Sequence, residues 1–476
     1  MKKSSGLLVF VCLALIVAYF FGGHQQRPVA PVLSAEERQA LRDAPGDDFD
    51  ASADVGRMRS NQTGANIRGV PVPTAAAPAV GASDCGPDVT PFSAPDVSAK
   101  INGRNYPSVF QAWQPASNTG SMNHDLIWNS PTWKEFGLKC FSTDSTGKLN
   151  RQAYPGLCTT YAGSLPKSDN VVRLAEIRWH DGWFSETQPG RQYFPKQFPG
   201  WMNGMPSVAA NTTMKDPSFR LNYQNACFQN MVAQQCQAAV KAGLDGCMFD
   251  WWSNPDESQV NMLKKVRAAI GDALIIVNAN GNIPSDLSDV NGVFAEGFGT
   301  EFFSHRGGGG AGGNGSQVPY PQPQAWQYLI DDLKKLKGAK KPQINAIEGW
   351  GEEGDSRYMR ALTTLVLVYS NAYVLYSRSN GENGLPDHTH VWDDFWTQDL
   401  GQPTDQDPPD APPTIPGGAV YRRFSKGIAV YNPTAAAVTV PASLLDGLHR
   451  SHRNDAALKP GADAQVPPGD GDIFVQ

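Results

Sequence analysis

From about residue 101 onward, short apolar runs alternate with longer segments in which apolar residues recur every three or four positions. The short runs cover 108–113, 125–129, 171–181, 246–252, 273–280, 292–297, 343–350 and 372–379. Helical patterns lie between several of them, at 222–242, 258–270, 324–336 and 356–370. In 258–270 the apolar positions are Val260, Met262, Leu263, Val266, Ala269 and Ile270, one face of a helix. Near-continuous apolar strands alternating with amphipathic helices indicate a parallel sheet covered on its outer side. Eight such strands over about 280 residues predict an α/β chain folded as a (β/α)8 (TIM) barrel. A doubly wound open sheet is the competitor, and it lacks support because no G-x-G-x-x-G turn follows any run.

The pattern divides the chain further. Residues 1–23 carry Lys2 and Lys3 ahead of a charge-free stretch from Gly6 to Gly23. Such a stretch enters a membrane, as an uncleaved signal-anchor helix or as a removed signal peptide. Its end, Ala18-Tyr19-Phe20-Phe21, lacks the small residues a signal peptidase needs, which favours the anchor. Either way the remainder is expected outside the cytosol, at a membrane facing the extracytoplasmic side or secreted. Residues 24–100 are rich in Pro, Ala, Gly, Asp and Ser and read as a disordered linker, with one short helix after Ser34 and Glu37. The barrel is assigned to 101–400, a second linker to 401–416, and a small all-β C-terminal domain of sandwich type to 417–476. Within that domain Val420 to Phe424 and Ile428 to Tyr431 flank Ser425-Lys426-Gly427, a hairpin signal. Two long insertions, 141–169 and 184–213, interrupt the barrel. A Gly-rich piece at 307–315 reads as a flap, since no G-K-[ST] ends it.

Composition narrows the function. Forty Lys and Arg against 46 Asp and Glu leave a net charge of −6, and no long basic run occurs, so nucleic acid is not an expected partner. Outside the leader, six cysteines remain: Cys85, Cys140, Cys158, Cys227, Cys236 and Cys247. None forms a C-x-x-C. Cys140 and Cys158 flank a polar loop and are the preferred disulfide. Cys227 and Cys236 fall on opposite faces of one predicted helix and are not expected to pair with each other.

In a barrel, polar residues at the carboxyl ends of strands face the working mouth. Five run ends carry them. The fourth reads Asp245-Gly246-Cys247-Met248-Phe249-Asp250-Trp251-Trp252, and the sixth Gly292-Val293-Phe294-Ala295-Glu296. The seventh ends Ile347-Glu348-Gly349-Trp350, the third Arg178-Trp179-His180-Asp181, and the fifth Asn278-Ala279-Asn280. One carboxylate in such a place is as readily a helix cap or an ion-pair partner. Three at one level are harder to place, because burying like charges together costs free energy unless a proton or a cation compensates. Glycoside hydrolysis uses such an arrangement, with one carboxyl kept protonated and the other ionised. Trp113, Trp179, Trp183, Trp251, Trp252 and Trp350 lie at or past run ends, where a ring covers the C–H face of a sugar. His180, Asp181, Asn278, Asn280 and Arg378 are candidates to hold its hydroxyls. Any one of these Trp is more economically read as sealing the barrel top.

Other chemistries have less support. His388-x-His390 lies past the last run and no H-E-x-x-H occurs, so no catalytic metal and no cofactor are expected. The Asn278-x-Asn280-Gly281-Asn282 stretch has a misplaced Gly for a calcium loop. No G-x-S-x-G is present.

The motifs Asp245-Gly246-x-x-Phe249-Asp250, Asn278-Ala279-Asn280 and Gly292-Val293-Phe294-Ala295-Glu296 resemble hypothetical glycosyl hydrolase families with barrel folds. The resemblance is closest to family fifteen of that set and more distant to bacterial endo-polygalactosaminidases. It runs from about residue 108 to 380, and Tyr421-Arg422-Arg423-Phe424 with Tyr431-Asn432-Pro433 is similar to the small β domain after such barrels. It implies hydrolysis of a poly- or oligosaccharide by Asp250 and Glu296. In that reading Asp250 is the nucleophile or general base, Glu296 the general acid, and Glu348 orients substrate or tunes the pair. The alternative is a non-catalytic glycan-binding barrel in surface polysaccharide assembly or export. It keeps the Trp platform and needs no proton donor, and it gains if Glu296 is locked with Arg306 or turned out of the mouth.

Overall fold

The computed structural model describes residues 89–113, 123–143, 149–150, 158, 160–165, 170–183, 218–279, 283–298, 323–351, 356–378, 388–405, 407–450 and 461–476. Eight parallel strands form one sheet in chain order: β1 (Phe110–Ala112), β2 (Leu126–Asn129), β3 (Val172–Glu176), β4 (Gly246–Phe249), β5 (Leu274–Asn278), β6 (Gly292–Ala295), β7 (Ala346–Gly351) and β8 (Tyr373–Arg378). Val109 bridges in parallel to Val374, which brings the first strand beside the last and rounds the sheet into a barrel. The predicted (β/α)8 architecture is therefore the observed one. Strands β1 to β6 are buried along their whole length, which explains why they read as unbroken apolar runs rather than alternating ones.

Among the described residues, four helices of 13 to 16 residues cover the barrel: α1 (Ala226–Lys241) after β3, α2 (Glu257–Ile270) after β4, α3 (Pro323–Lys335) after β6 and α4 (Ser356–Tyr369) after β7. Their starts follow from side-chain chemistry. The Asn225 side chain accepts from the Cys227 and Phe228 amides, and Asp256 with Gln259 forms a reciprocal capping box on α2. Met262, Leu263, Val266, Ala269 and Ile270 are the buried stripe of α2, as their spacing predicts. Between β2 and β3 the described residues include a short antiparallel pair, Leu138–Thr143 with Thr160–Gly163.

One expectation is corrected. The apolar pattern predicts a single strand over 171–181, but β3 ends at Glu176 and Asp181–Trp183 pairs antiparallel with Ser218–Arg220. The physical reason lies in Trp179, which is buried and sends its indole N–H to the Asp250 carbonyl at 2.7 Å. The chain turns inward there and leaves the ladder.

The amino-terminal floor of the barrel is built from a repeated device. An Asp or Asn at or just before a strand accepts the backbone N–H of a neighbouring strand. Asp125 takes Val109 N at 2.9 Å, Asp245 takes Arg173 N at 2.8 Å, Asn291 takes Ile275 N at 3.0 Å, and Asn345 takes Val293 N at 3.0 Å. Lys100 neutralises Asp245 at 2.8 Å. Gly246 follows because a Cβ there would stand 2.0 Å from the Leu274 carbonyl oxygen. Half of the Asp245-Gly246-x-x-Phe249-Asp250 motif thus serves the floor, and only Asp250 reaches the mouth.

Beyond the barrel, β9 (Val420–Phe424), β10 (Gly427–Asn432) and β13 (Asp470–Val475) form one antiparallel sheet, and β11 (Val438–Val440) pairs with β12 (Ala464–Val466). Ala429, Tyr431, Ile473 and Val475 join the barrel core, while Ile428, Val430, Val438, Val466 and Phe474 make a second small core. The sheet is fastened to α4 by polar contacts. Arg422 caps the last turn through the Leu367 and Ser370 carbonyls at 3.1 and 2.9 Å, and Arg360 pairs with Asp470 at 2.6 Å.

Cys140 is joined to Cys158, as the sequence predicts. Cys236 on α1 is joined to Cys247 on β4, a pairing the sequence did not suggest, so Cys227 and Cys236 are not partners. No helix among the described residues is long and apolar enough to cross a membrane; the 6–23 run lies outside them.

Candidate active site

Asp250 directly follows β4, Asn278 ends β5, Glu296 directly follows β6, and Glu348 lies within β7. All four reach the carboxyl-terminal side of the barrel, and their exposures are 7, 0, 5 and 0%. One amide ties the first three together: Asn278 Nδ2 donates to Asp250 Oδ1 at 2.7 Å and to Glu296 Oε2 at 2.6 Å. A primary amide has two N–H donors, and here each is given to a different carboxyl group. The two inner oxygens are therefore no more than about 5.3 Å apart, the two bonds laid end to end. Asp250 Oδ1 also accepts the Trp251 amide at 2.9 Å. Two N–H groups thus donate to this one oxygen.

The other side of Glu296 faces His388, with Nε2 at 3.9 Å from Oε1. His388 Nδ1 in turn meets both oxygens of Glu348, at 2.8 and 3.0 Å. Facing two carboxyl oxygens at once, Nδ1 is assigned as the donor of this contact. Ser377 on β8 donates its hydroxyl to the same Glu348 oxygen. Asp250, Glu296 and Glu348 thus sit at one level with an imidazole wedged between the last two. Glu296, Glu348 and His388 offer donor atoms within 4.8 Å of one another, a spacing a cation would accept.

His388 is held from behind. His390 Nδ1 lies 2.8 Å from the His388 carbonyl, and His390 Nε2 lies 2.9 Å from His124 Nε2. Burial pushes His124 down to about 3 and His390 down to about 4, so both rings are neutral at ordinary pH. The tautomers then follow in sequence. The carbonyl demands a proton on His390 Nδ1, which leaves its Nε2 a lone pair, which demands a proton on His124 Nε2.

Aromatic rings fill the barrel beneath. Phe110, Trp128 and Phe294, from β1, β2 and β6, meet ring to ring with centroids 4.9 to 5.6 Å apart. Strands that are not neighbours touch this way only through the interior. Trp113 and His388 lie on this layer, 5.0 Å apart. Trp113, Trp251 and His388 have φ of 49°, 59° and 62°, a left-handed backbone costing about 1–3 kcal/mol each in side chains of this size. Three such residues at one mouth mark where the fold spends stability to aim side chains.

The six Trp proposed as a platform separate. Trp113, Trp179 and Trp252 are buried and pack against other rings, whereas Trp251 and Trp350 are half-buried. Trp251 stacks on His180 at 5.4 Å and 18°. Trp350 lies against Gly297. The indole N–H groups of Trp113 and Trp350 have no acceptor among the described residues. Asn280 and Arg306 lie outside the described residues, as do the side chains of Asp181, Trp183 and Arg378. In the sequence His388 reads only as half of a metal-binding pair, Phe294 only as part of the sixth-run motif, and Trp128 and Ser377 carry no signal beyond lying on apolar runs.

No protein-family model and no curated protein matches the chain. Solved structures similar to it include a debranching enzyme from Nostoc punctiforme, at 14% identity over 76% of this chain and 87% of that one, with a TM-score of 0.41. They include the noncanonic maltogenic α-amylase AmyB from Thermotoga neapolitana, at 11% over 80% and 99%, TM-score 0.40. The glycoside hydrolase domain of PelA from Pseudomonas aeruginosa is similar at 10% over 61% and 100%, TM-score 0.34. Their overlap with this chain is partial and assigns no residue a role.

Proposed function

We propose that the chain is a glycoside hydrolase acting on a poly- or oligosaccharide, of the kind its motifs resemble. One observation carries this reading: Asp250 and Glu296, from alternate strands, are bound to the same Asn278 amide at the carboxyl end of a barrel. Asp250, oriented by two N–H donors on one oxygen, serves as nucleophile. Glu296, beside an imidazole with which it can share a proton, serves as general acid and then as general base. Glu348 orients that imidazole. Trp251 and Trp350 are the rings left to cover a sugar face, and the Trp113 and Trp350 N–H groups are donors for its hydroxyls. The short reach between the inner oxygens favours the geometry of retaining enzymes, about 5–5.5 Å, over the 6.5–9.5 Å that leaves room for an inverting water. Location at a membrane or outside the cell remains part of this proposal, resting on the 1–23 stretch.

The purified protein, screened against bacterial exopolysaccharides with reducing-end detection, should open at least one. Asp250→Asn and Glu296→Gln should each lower that rate by about a hundredfold or more. The first-formed anomer, read by proton NMR, should keep the configuration of the substrate. Folded D250N or E296Q protein that matches the parent rate would end the reading in favour of the non-catalytic, glycan-binding one.

A further inference from the structure

We infer that His388 is a positioning residue for Glu296: Glu348 holds the imidazole by Nδ1 so that Nε2 is the proton partner of the Glu296 carboxyl group. The inference deepens the hydrolase reading and rests on it. The geometry is specific. His388 Nδ1 is committed to both Glu348 oxygens, Nε2 points to Glu296 Oε1 at 3.9 Å, and both ends of the contact are buried. A carboxylate orienting an imidazole toward a third group is the logic of an acid–base relay, in which the outer carboxylate sets tautomer and direction.

The backbone supports the same assignment independently of the ring contacts. His388 sits at φ 62°, its carbonyl is held by His390, and His390 is held by His124. Trp113, also left-handed at φ 49°, packs on the imidazole face. A histidine that only filled space would need neither a strained backbone nor a two-histidine brace on its carbonyl.

The proton balance is closed. In the resting site the Glu296–His388 pair holds one proton, its facing atoms 3.9 Å apart and so not yet in direct hydrogen bond. In the first step that proton passes from Glu296 to the glycosidic oxygen as the C–O bond breaks and Asp250 bonds to the anomeric carbon. In the second step water gives a proton to Glu296 while its oxygen displaces Asp250, and the resting pair is restored. His388 consumes nothing. It keeps the Glu296 proton inside the site between turnovers, and Glu348 takes no part in the transfer.

The test joins a spectroscopic arm to a kinetic one. Nitrogen-15 labelling of the histidines in the full chain, assigned with His388→Asn, should show a His388 Nδ1–H proton that is strongly downfield and slow to exchange. Asparagine is chosen because it tolerates a left-handed backbone. Glu348→Gln should move the Nδ1 signal, and Glu296→Gln should move the Nε2 signal. In the kinetic arm, H388N should lower kcat on a polysaccharide by about ten- to a hundredfold with KM within about twofold. On an aryl glycoside with a dinitrophenolate leaving group, whose first step needs no proton, the loss in kcat/KM, which reads that step alone, should be under about threefold, against ten- to a hundredfold in kcat/KM on the polysaccharide.

A His388 that carries its proton on Nε2 alone, an Nε2 signal indifferent to E296Q, or an H388N loss equal on both substrates would overturn the inference. A parent protein that opens no glycoside, while the Nδ1 and Nε2 signals respond as stated, instead refutes the hydrolase reading and leaves the relay geometry standing. Should H388N not fold, the two glutamate variants carry the spectroscopic arm alone.

Discussion

Mild acid should loosen this fold, and the His124–His390 brace is the reason. Both rings are buried and neutral, held at about 3 and about 4 against an ordinary value of 6.5. The unfolded chain therefore binds more protons than the folded one over this interval. The stability these groups contribute is complete above pH 6.5 and is lost as pH falls toward 4. At pH 5 each ring costs about 2 kcal/mol relative to pH 7. Asp125, next to His124, works the other way, since burial raises it from 3.8 to about 6. It takes up its proton earlier in the folded state and returns about 1 kcal/mol by pH 5, a figure reduced by its partial exposure. The net loss is about 2–3 kcal/mol, the surface carboxylates mattering only below about pH 4. For a barrel-sized body with an unfolding entropy of about 0.7 kcal/mol/K, the thermal midpoint should fall by about 4 °C between pH 7 and pH 5. Circular dichroism melts at pH 7, 6 and 5 measure it. The double variant His124→Gln with His390→Asn removes both rings while keeping donors and acceptors, and with only Asp125 left its midpoint should hold or rise slightly. A parent midpoint that stays level, or a double variant that falls as far as the parent, refutes the reasoning.

Three further outcomes follow from particular contacts. Arg360→Met strands the buried Asp470 carboxylate at the junction of α4 and the C-terminal sheet, so urea unfolding should show a loss of about 3–5 kcal/mol, largely recovered when Asp470→Asn is added. Gly297 has φ +65° and lies 3.2 Å, at the Cβ position, from the Trp350 ring. Gly297→Ala should cost about 1–2 kcal/mol and displace Trp350, read as a changed tryptophan fluorescence maximum. Lys100→Met removes the partner of the buried Asp245 at the floor and should lower stability by about 1–3 kcal/mol without moving His388 imidazole signals, which separates floor from mouth.

Much of the barrel was legible because burial on both sides turns each strand into an apolar run. Every one of the eight runs contains a strand, and the four helical patterns became α1 to α4 within a few residues. The runs were read too long at their ends for a consistent reason. Asp250, Trp252 and Gly297 stay buried or close-packed beyond the last ladder bond, and hydropathy does not distinguish a ladder from a packed mouth. The third run shows the same effect at its largest, with Trp179 as apolar as any strand residue yet turned under Asp250. The floor was equally opaque. Asp245 and Asn291 occupy the same relation to their strands as residues with chemistry might, and only the bonds to Arg173 N and Ile275 N show that they seal a neighbouring strand.

The acidic half of the site was visible from strand position, but its charge balance was not. Sequence reasoning could say that three carboxylates at one level demand a proton or a cation. It could not say which group supplies it, because the answer comes 40 positions after Glu348, from a residue past the last strand. His388 shares no element, periodicity or motif with the acids it serves. What brings it in is a left-handed turn at φ 62° and a carbonyl bound by His390, and neither leaves a mark on hydropathy. The H-x-H spelling invited a metal reading, yet the two rings point to different tasks. His388 faces carboxylates and His390 faces backbone and another imidazole, so the pair works as a lever and its brace. Electrostatic need therefore predicts that a partner exists in a barrel mouth, and only chain geometry can say where along the sequence to find it.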